Sequence, residues 1–398
     1  MNNNILFTDL KLKNIIFKNR LIRSATYEGY GDNTGMPDIK LGELYSRLAL
    51  GGIGALITGF VFTSLDGRAM QKGQCGIHRD EFIQTWKKVV NKSRKTESDM
   101  KIFMQLAHAG RQTRKEITKY NVVGASSRKC TYFRQSVVPL SETNIWRIIK
   151  EYENAAWRAK EAGFDGIQIH AAHGYLIHQF LSPHTNMRRD KWKDLPLFLE
   201  EIINAVKYRC GSKFPILIKL SSAEDVSPGI NLDSTIETVN RIKKTGIDAW
   251  EISYGTMEYA LNIIRGACPM DLVFEINPLF SSIPNWFRKI WKTFFMNNYT
   301  RKFIPFSENY NLSASLEIKR QTQESIISVG GFRTPDTMHD VITTFNLDGI
   351  SLCRPLICEP DWPEQIRMGL SEHSKCTQCN LCLIHCDGDK SLQCYRRK

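Results

Sequence analysis

The chain has 398 residues, 42% hydrophobic and 24% charged, and 54 Lys and Arg against 41 Asp and Glu give a net charge of +13. That balance excludes a disordered or fibrous chain and leaves one large α/β barrel or two ordinary domains. The Lys and Arg residues are dispersed and match no nucleic-acid motif, so the excess is expected to draw anionic phosphate cofactors or substrates rather than nucleic acid.

The first twenty residues are broken by Asp9, Lys11, Lys13 and Lys18 and do not resemble a signal peptide. Residues 48–62 form the longest apolar run, too short to span a bilayer, and predict a helix end, a Gly-rich turn and a buried strand. Of the eleven cysteines, five crowd into the last 23 residues, unlike a secreted disulfide framework. A cytoplasmic location with a specialised tail is the expectation.

Short β-type runs are predicted at 21–25, 53–59, 102–106, 166–170, 216–220, 249–253, 326–330 and 349–353, separated by helical stretches. Alternating strands and helices imply a parallel sheet, and eight such units fit a closed (β/α)8 TIM barrel better than an open one. The barrel is assigned residues 1–369. One helix, 142–162, shows apolar residues at i, i+3, i+4 spacing, with Ser141 as its cap and Gly163 just past its end. Residues 256–323, before strand seven, are too long for an ordinary connection. They contain the basic, aromatic stretch NWFRKIWKTFFMNNYTRKF, read as a lid over the barrel mouth in preference to a membrane-surface helix, because it is embedded within the barrel sequence.

The chemistry-bearing motifs follow the strand ends. Ser24, Ala25 and Thr26 are small residues that let a flat ring approach the backbone after strand one. Gln105, ending strand three, offers both a donor and an acceptor to a pyrimidine-like edge. The run GIQIHAAHGYLIHQFLSP, 166–183, puts His170, His173 and Tyr175 just past strand four, where two imidazoles and a phenol can grip a carbonyl oxygen and supply a proton. Lys219 ends strand five, either salt-bridged or facing an electron-rich cofactor. In SVGGFRT, Gly330 and Gly331 lead into a helix expected near 334–336, and Cys353-Arg354-Pro355 ends strand eight. The loops after strands seven and eight are the usual phosphate site of this architecture, and the absence of G-x-G-x-x-G points to a mononucleotide phosphate. The tail, 370–398, holds Cys376, Cys379, Cys382 and Cys386 at the spacing of iron–sulfur ligand runs, followed by Cys394. Zinc and a reduced, metal-free tail are the competing readings.

Taken together, NRLIRSAT, QLAHAGR, AGFDGIQIHAAHGYLIHQFLSP with NMRRD, SVGGFRT and CRPLICEPDWP resemble the Old Yellow Enzyme family of FMN-dependent ene-reductases, the NADH:flavin oxidoreductases. The resemblance covers about residues 5–369. It implies that Ser24, Ala25, Thr26 and Gly59 lie against the isoalloxazine and that Gln105 bonds its pyrimidine edge. Lys219 stands where the family has an arginine near the flavin N1–C2 carbonyl. Gly330, Gly331, Cys353 and Arg354 would surround the phosphate, His170 and His173 would bind a substrate carbonyl, and Tyr175 would donate the proton. The tail is similar to that of the dienoyl-CoA reductase branch, which implies a [4Fe-4S] cluster on Cys376, Cys379, Cys382 and Cys394, with Cys386 competing as the fourth ligand. That branch has three residues between its second and third cysteines where this chain has two, and its flavodoxin-like and nucleotide-binding domains have no counterpart in these 398 residues. Two further departures are Lys219 itself and Trp192-Lys193-Asp194 in place of Tyr-Gly-Gly.

The implied activity is NAD(P)H-dependent reduction of the C=C bond of α,β-unsaturated carbonyl compounds, with hydride from the flavin and a proton from Tyr175. The alternatives are an iron–sulfur flavoprotein fed by a separate electron donor and a non-catalytic flavin module. A small-molecule substrate, a nicotinamide nucleotide, no nucleic acid, no membrane span and compatibility with a homo-oligomer complete the expectation.

Overall fold

The computed structural model describes residues 3–95, 99–277, 279–388 and 390–396. Eight parallel strands close into a barrel: β1 Leu21–Arg23, β2 Ala55–Ile57, β3 Lys101–Ala107, β4 Gly166–Ala171, β5 Ile216–Ser221, β6 Ala249–Ser253, β7 Ile326–Val329 and β8 Gly349–Leu352. Each strand pairs with its sequence neighbours, and β8 pairs with β1 to close the ring. The outer helices are α1 Lys40–Leu50, α2 Phe82–Arg94, α3 Glu142–Glu161, α4 Leu197–Cys210, α5 Leu232–Ile242, α6 Leu312–Thr322, α7 Pro335–Thr343 and α8 Trp362–Arg367. This is a (β/α)8 barrel.

Local chemistry sets the elements. In α3, Ser141 Oγ accepts the Asn144 backbone N–H at 3.3 Å, and Ile145, Ile148, Ile149, Tyr152, Ala156 and Ala159 form its buried stripe. Gly163 follows at φ +90°, a conformation that excludes most side chains. Pro335 begins α7 one residue after Thr334, as expected from the 334–336 sequence.

The barrel interior is layered. A short antiparallel pair, Leu10–Lys11 with Ile16–Phe17, plugs one end, where Phe17 packs with Ile22, Phe103, Leu217 and Ile327. Above this apolar floor lies a polar layer. Gln105 Nε2 donates to Gln168 Oε1 at 2.7 Å, and Gln168 Nε2 donates to Glu251 Oε2 at 2.7 Å. Lys219 Nζ sits 3.2 Å from Glu251 Oε2 and donates to Ser24 Oγ at 2.9 Å. Gln168–Glu251 and Lys219–Ser24 join strands that are not neighbours, so these bonds cross the barrel's inside. All five residues are buried.

Two additions depart from the plain barrel. Segment 256–323 divides into an excursion, 256–311, and the barrel helix α6, so the insertion is shorter than the sequence suggests. Its helix Asn285–Thr300 turns Trp291 and Tyr299, both half-buried, toward an open pocket and leaves Trp286, Phe294 and Phe295 exposed. The tail folds as a short helix, Leu381–Asp387, against the barrel, with Cys382, Cys386 and Leu392 packed on Tyr27 and Ile357. Among the described residues no helix is long and apolar enough to cross a membrane.

Glu251→Ala strands the Lys219 ammonium in the barrel without its counter-ion. The expected loss is about 3–5 kcal/mol of stability, read as a lower urea midpoint, with Glu251→Gln losing less because it keeps the shape and an acceptor.

Candidate active site

The barrel strands end at one mouth, and there the chain builds a cleft with about 710 Å³ of empty space, part of it open to solvent. Ser24 and Ala25 from the end of β1, His173 from the end of β4, Lys219, Ser253, Gly330, Gly331, Cys353 and Arg354 all line it. Eight residues singled out in the sequence thus meet in one cavity. Thr26 joins them through its hydroxyl, 3.1 Å from Cys353 Sγ. Gln105 lies in the polar layer beneath, committed to Gln168. Gly59 donates its N–H to Glu28 Oε2 at 3.0 Å, and a Cβ there would come within 2.6 Å of that oxygen. Gly59 is therefore demanded by packing against Glu28, whatever else approaches it.

The β4 turn shapes the reactive face. His173 and Gly174 take left-handed φ of +61° and +79°, an unusual conformation for a histidine. The turn is pinned by four bonds to His173: its N–H to Ser221 Oγ at 3.1 Å, its Nε2 with Ser253 Oγ at 2.8 Å, Met257 N–H to its carbonyl at 3.1 Å, and Gln112 Nε2 to the same carbonyl at 2.8 Å. Both seryl groups belong to the inward rows of β5 and β6 that carry Lys219 and Glu251. His170 stands edge-on to His173, ring centroids 5.1 Å apart, and 4.8 Å from the Tyr175 ring. Its Nδ1 is buried without a hydrogen-bond partner. A buried orphan donor or acceptor is costly, so this atom is poised for a ligand.

Electrostatics fix the protonation states. Burial, then the neighbouring histidines and Lys219, holds both imidazoles well below their usual value of 6.5. Burial, then the Asp387 carboxylate, pushes the Tyr175 phenol above 10. Two neutral imidazoles and a protonated phenol stand together at neutral pH, a set that donates hydrogen bonds to an oxygen and holds a proton ready.

At the far end of the cleft, Gly330 and Gly331 have φ of +132° and +83° and no space for a Cβ beside Tyr310. Arg354 Nη1 donates to Arg265 O at 2.8 Å and Asn380 Oδ1 at 2.6 Å, so this guanidinium is partly committed to the insertion and the tail. Arg333 also lines the cleft, and its Nε is buried without a partner. The donor set suits a phosphate monoester between the glycine turn and two guanidiniums.

The profile of the NADH:flavin oxidoreductase / NADH oxidase family matches residues 5–275. The chain belongs to that family. It is 28% identical over 397 residues to an NADH oxidase of Thermoanaerobacter brockii, covering 98% of this chain and 54% of the relative. It is 33% identical over 270 residues to an NADPH dehydrogenase of Bacillus subtilis, covering 66% and 77%. The fold superposes on an Old Yellow Enzyme homologue from Zymomonas mobilis with a TM-score of 0.73, at 20% identity over 98% and 97% of the two chains. The chain therefore spans about half the length of the NADH oxidase and nearly all of the Zymomonas mobilis protein. The family is one of NADH:flavin oxidoreductases, and the cleft's orphan Arg333 Nε, glycine turn and flat Ser24–Ala25 wall fit FMN.

The tail makes a second cavity. Cys376, Cys379, Cys382 and Cys394 line it together with Arg354, whereas Cys386 turns away, its thiol 3.7 Å from Tyr27 O. Cys394 Sγ lies 3.9 Å from Cys358 Sγ. Among the described residues no three Cys, His, Asp or Glu side chains converge as a single ion requires. Arg354 and Cys376 line both cavities, so the tail abuts the end of the cleft that holds the glycine turn and Arg354.

The sequence reading missed Arg333, Tyr310, Ser253 and Ser221. Arg333 lay within SVGGFRT, where a cation two residues past a glycine pair was itself a signal. Tyr310 comes from the insertion and carries no such mark. Arg333→Ala should weaken FMN binding about 10–100-fold, the worth of one charge-assisted hydrogen bond. Flavin fluorescence on titrating apoprotein with FMN reads the change.

Proposed function

We propose that the chain reduces the C=C bond of α,β-unsaturated carbonyl compounds. The observation that carries this is the buried trio at the end of β4, two imidazoles held neutral and one phenol held protonated in mutual ring contact, of which His173 lines the cleft. Ser24, Ala25, Thr26, Lys219, Gly330, Gly331, Arg333, Cys353 and Arg354 would hold FMN, with Gln105 and Gly59 supporting its ring end. FMN when bound supplies hydride transfer between a nicotinamide and carbon.

Each neutral imidazole carries one ring N–H, and that of His173 is free for the substrate when the Ser253 hydroxyl donates to its Nε2. His170 and His173 bind the substrate oxygen and take up the negative charge that develops on it when the β-carbon gains hydride, worth about 3–4 kcal/mol for an aimed donor. The Ser221 and Ser253 hydroxyls fix the His173 turn, so that its ring meets the oxygen without reorganisation. Tyr175 protonates the α-carbon. Its packing against His170 and Phe60, 5.6 Å between the Tyr175 and Phe60 centroids, keeps water from competing for that proton.

A second reading rests on the tail. The shared wall of Arg354 and Cys376 favours an iron–sulfur cluster on Cys376, Cys379, Cys382 and Cys394, with electrons from a separate donor. Zinc bonds of about 2.3 Å would draw four thiolates into close contact, whereas a cluster's ligands stand farther apart. Cys394→Ser should remove iron and acid-labile sulfide from anaerobically purified protein, and Cys386→Ser should retain both. If NADH and NADPH fail to bleach the flavin anaerobically while a reduced low-potential donor succeeds, the second reading takes precedence.

Tyr175→Phe should slow enone reduction about 100–10,000-fold and leave anaerobic flavin reduction by NAD(P)H within a few-fold. His173→Ala should lower kcat/KM for the enone about 100–1,000-fold. Full enone turnover in either variant would sink the assignment. Depressed imidazole and raised phenol values also predict a pH–kcat/KM plateau extending below 6.5 and above 9, without a histidine limb near 6.5.

A further inference from the structure

The insertion and residues 114–134 border a further pocket of about 720 Å³, open to solvent on one side and separate from the flavin cleft. That is the size of a pocket for a substantial organic ligand. Nine aromatic side chains line it, among them Tyr132, Phe280, Trp291 and Phe303. The rings brace one another edge-on: Tyr132 with Phe280 at 5.9 Å, Phe274 with Trp291 at 5.4 Å, and Trp291 with Tyr299 at 5.4 Å between centroids. Flat, mutually braced walls are preorganised for flat or apolar guests.

Its charge is one-sided. Arg114, Arg134 and Lys302 line the chamber, Arg114 sharing an ion pair with Glu116. The one carboxylate in the lining, Glu258, is neutralised by a buried ion pair with Arg111, and Thr131 donates to it from its N–H at 2.6 Å and its hydroxyl at 2.8 Å. The pocket is joined to the reactive turn through the chain itself. Thr256 bridges His173, Met257 donates to His173 O, and Glu258 is the next residue, already in the chamber wall.

We propose that this chamber holds the body of the substrate while its unsaturated carbonyl sits at His170 and His173. The substrate class is then a large, flat, largely apolar molecule bearing a carboxylate, sulfonate or phosphate. The proposal rests on the ene-reductase reading for the position of the carbonyl. The chamber itself stands on its own geometry.

Two measurements separate the claims. Calorimetry on the FMN-loaded protein compares naphthalene-2-sulfonate with its neutral analogue naphthalene-2-sulfonamide. The anion should bind at least tenfold more tightly, and that preference should vanish in Arg134→Glu/Lys302→Glu, two exposed positions that leave the aromatic walls intact. Trp291→Ala should weaken both ligands. Kinetics then compares 2-cyclohexenone with a carboxylated naphthyl butenone. The double charge reversal should lower the ratio of their kcat/KM values at least tenfold in favour of the small enone, through KM. An unchanged ratio, a KM change confined to NAD(P)H, or no binding preference for the anion overturns the proposal. If the wild type reduces neither enone yet binds the sulfonate through Arg134 and Lys302, the chamber's ligand class holds and the ene-reductase reading fails.

Discussion

A buried chain of polar side chains crossing the barrel, Gln105–Gln168–Glu251–Lys219–Ser24, holds the active end of this molecule in place. Carrying a Lys–Glu pair in a protein interior is costly unless every partner is aligned. Here the alignment comes from five strands at once. Glu251 accepts from both Gln168 and Lys219, which draws β4, β5 and β6 to a common height. The next inward positions on β5 and β6 are Ser221 and Ser253, and these pin the His173 turn. The position of the imidazole is thus tied to the polar layer below it through the pleat of two strands.

The same arrangement accounts for the chemistry. The reactive groups are buried where no counter-charge accompanies them, so the imidazoles stay neutral and the phenol stays protonated. Lys219 contributes doubly: it opposes protonation of both histidines and presents a cation to the cleft. On this barrel the chain has built two additions that meet at Arg354, whose guanidinium bonds Arg265 of the insertion and Asn380 of the tail. Cleft, insertion and tail therefore share one side chain.

Much of this was legible in the sequence because barrels repeat one local pattern. Apolar runs between amphipathic helices placed all eight strands, and 249–253 matches the observed β6 residue for residue. The errors fall at strand ends, such as 21–25 against Leu21–Arg23, because the backbone turns away there to form the site. Less legible were partners distant in sequence. Gln168 and Glu251 are lone polar residues inside apolar runs, a pattern that demands a buried partner, yet nothing local says that they are each other's. The tail shows the same limit. Spacing left Cys386 and Cys394 open, and the geometry that separates them is a helix turning Cys386 toward Tyr27. The charge and aromatics of the insertion were visible, but not that its rings would face inward on one side and outward on the other.

In the proposed reaction the β4 turn offers neutral imidazoles and a protonated phenol to a substrate carbonyl, so that hydride and proton come from different sources. Reduction of 2-methylcyclohexenone in D2O with unlabelled NADPH, with deuterium located in the product by NMR, separates the two. One deuterium at the α-carbon and unlabelled hydride at the β-carbon are expected. Solvent deuterium at the β-carbon, or reduction without any label at the α-carbon, would rule the reaction out.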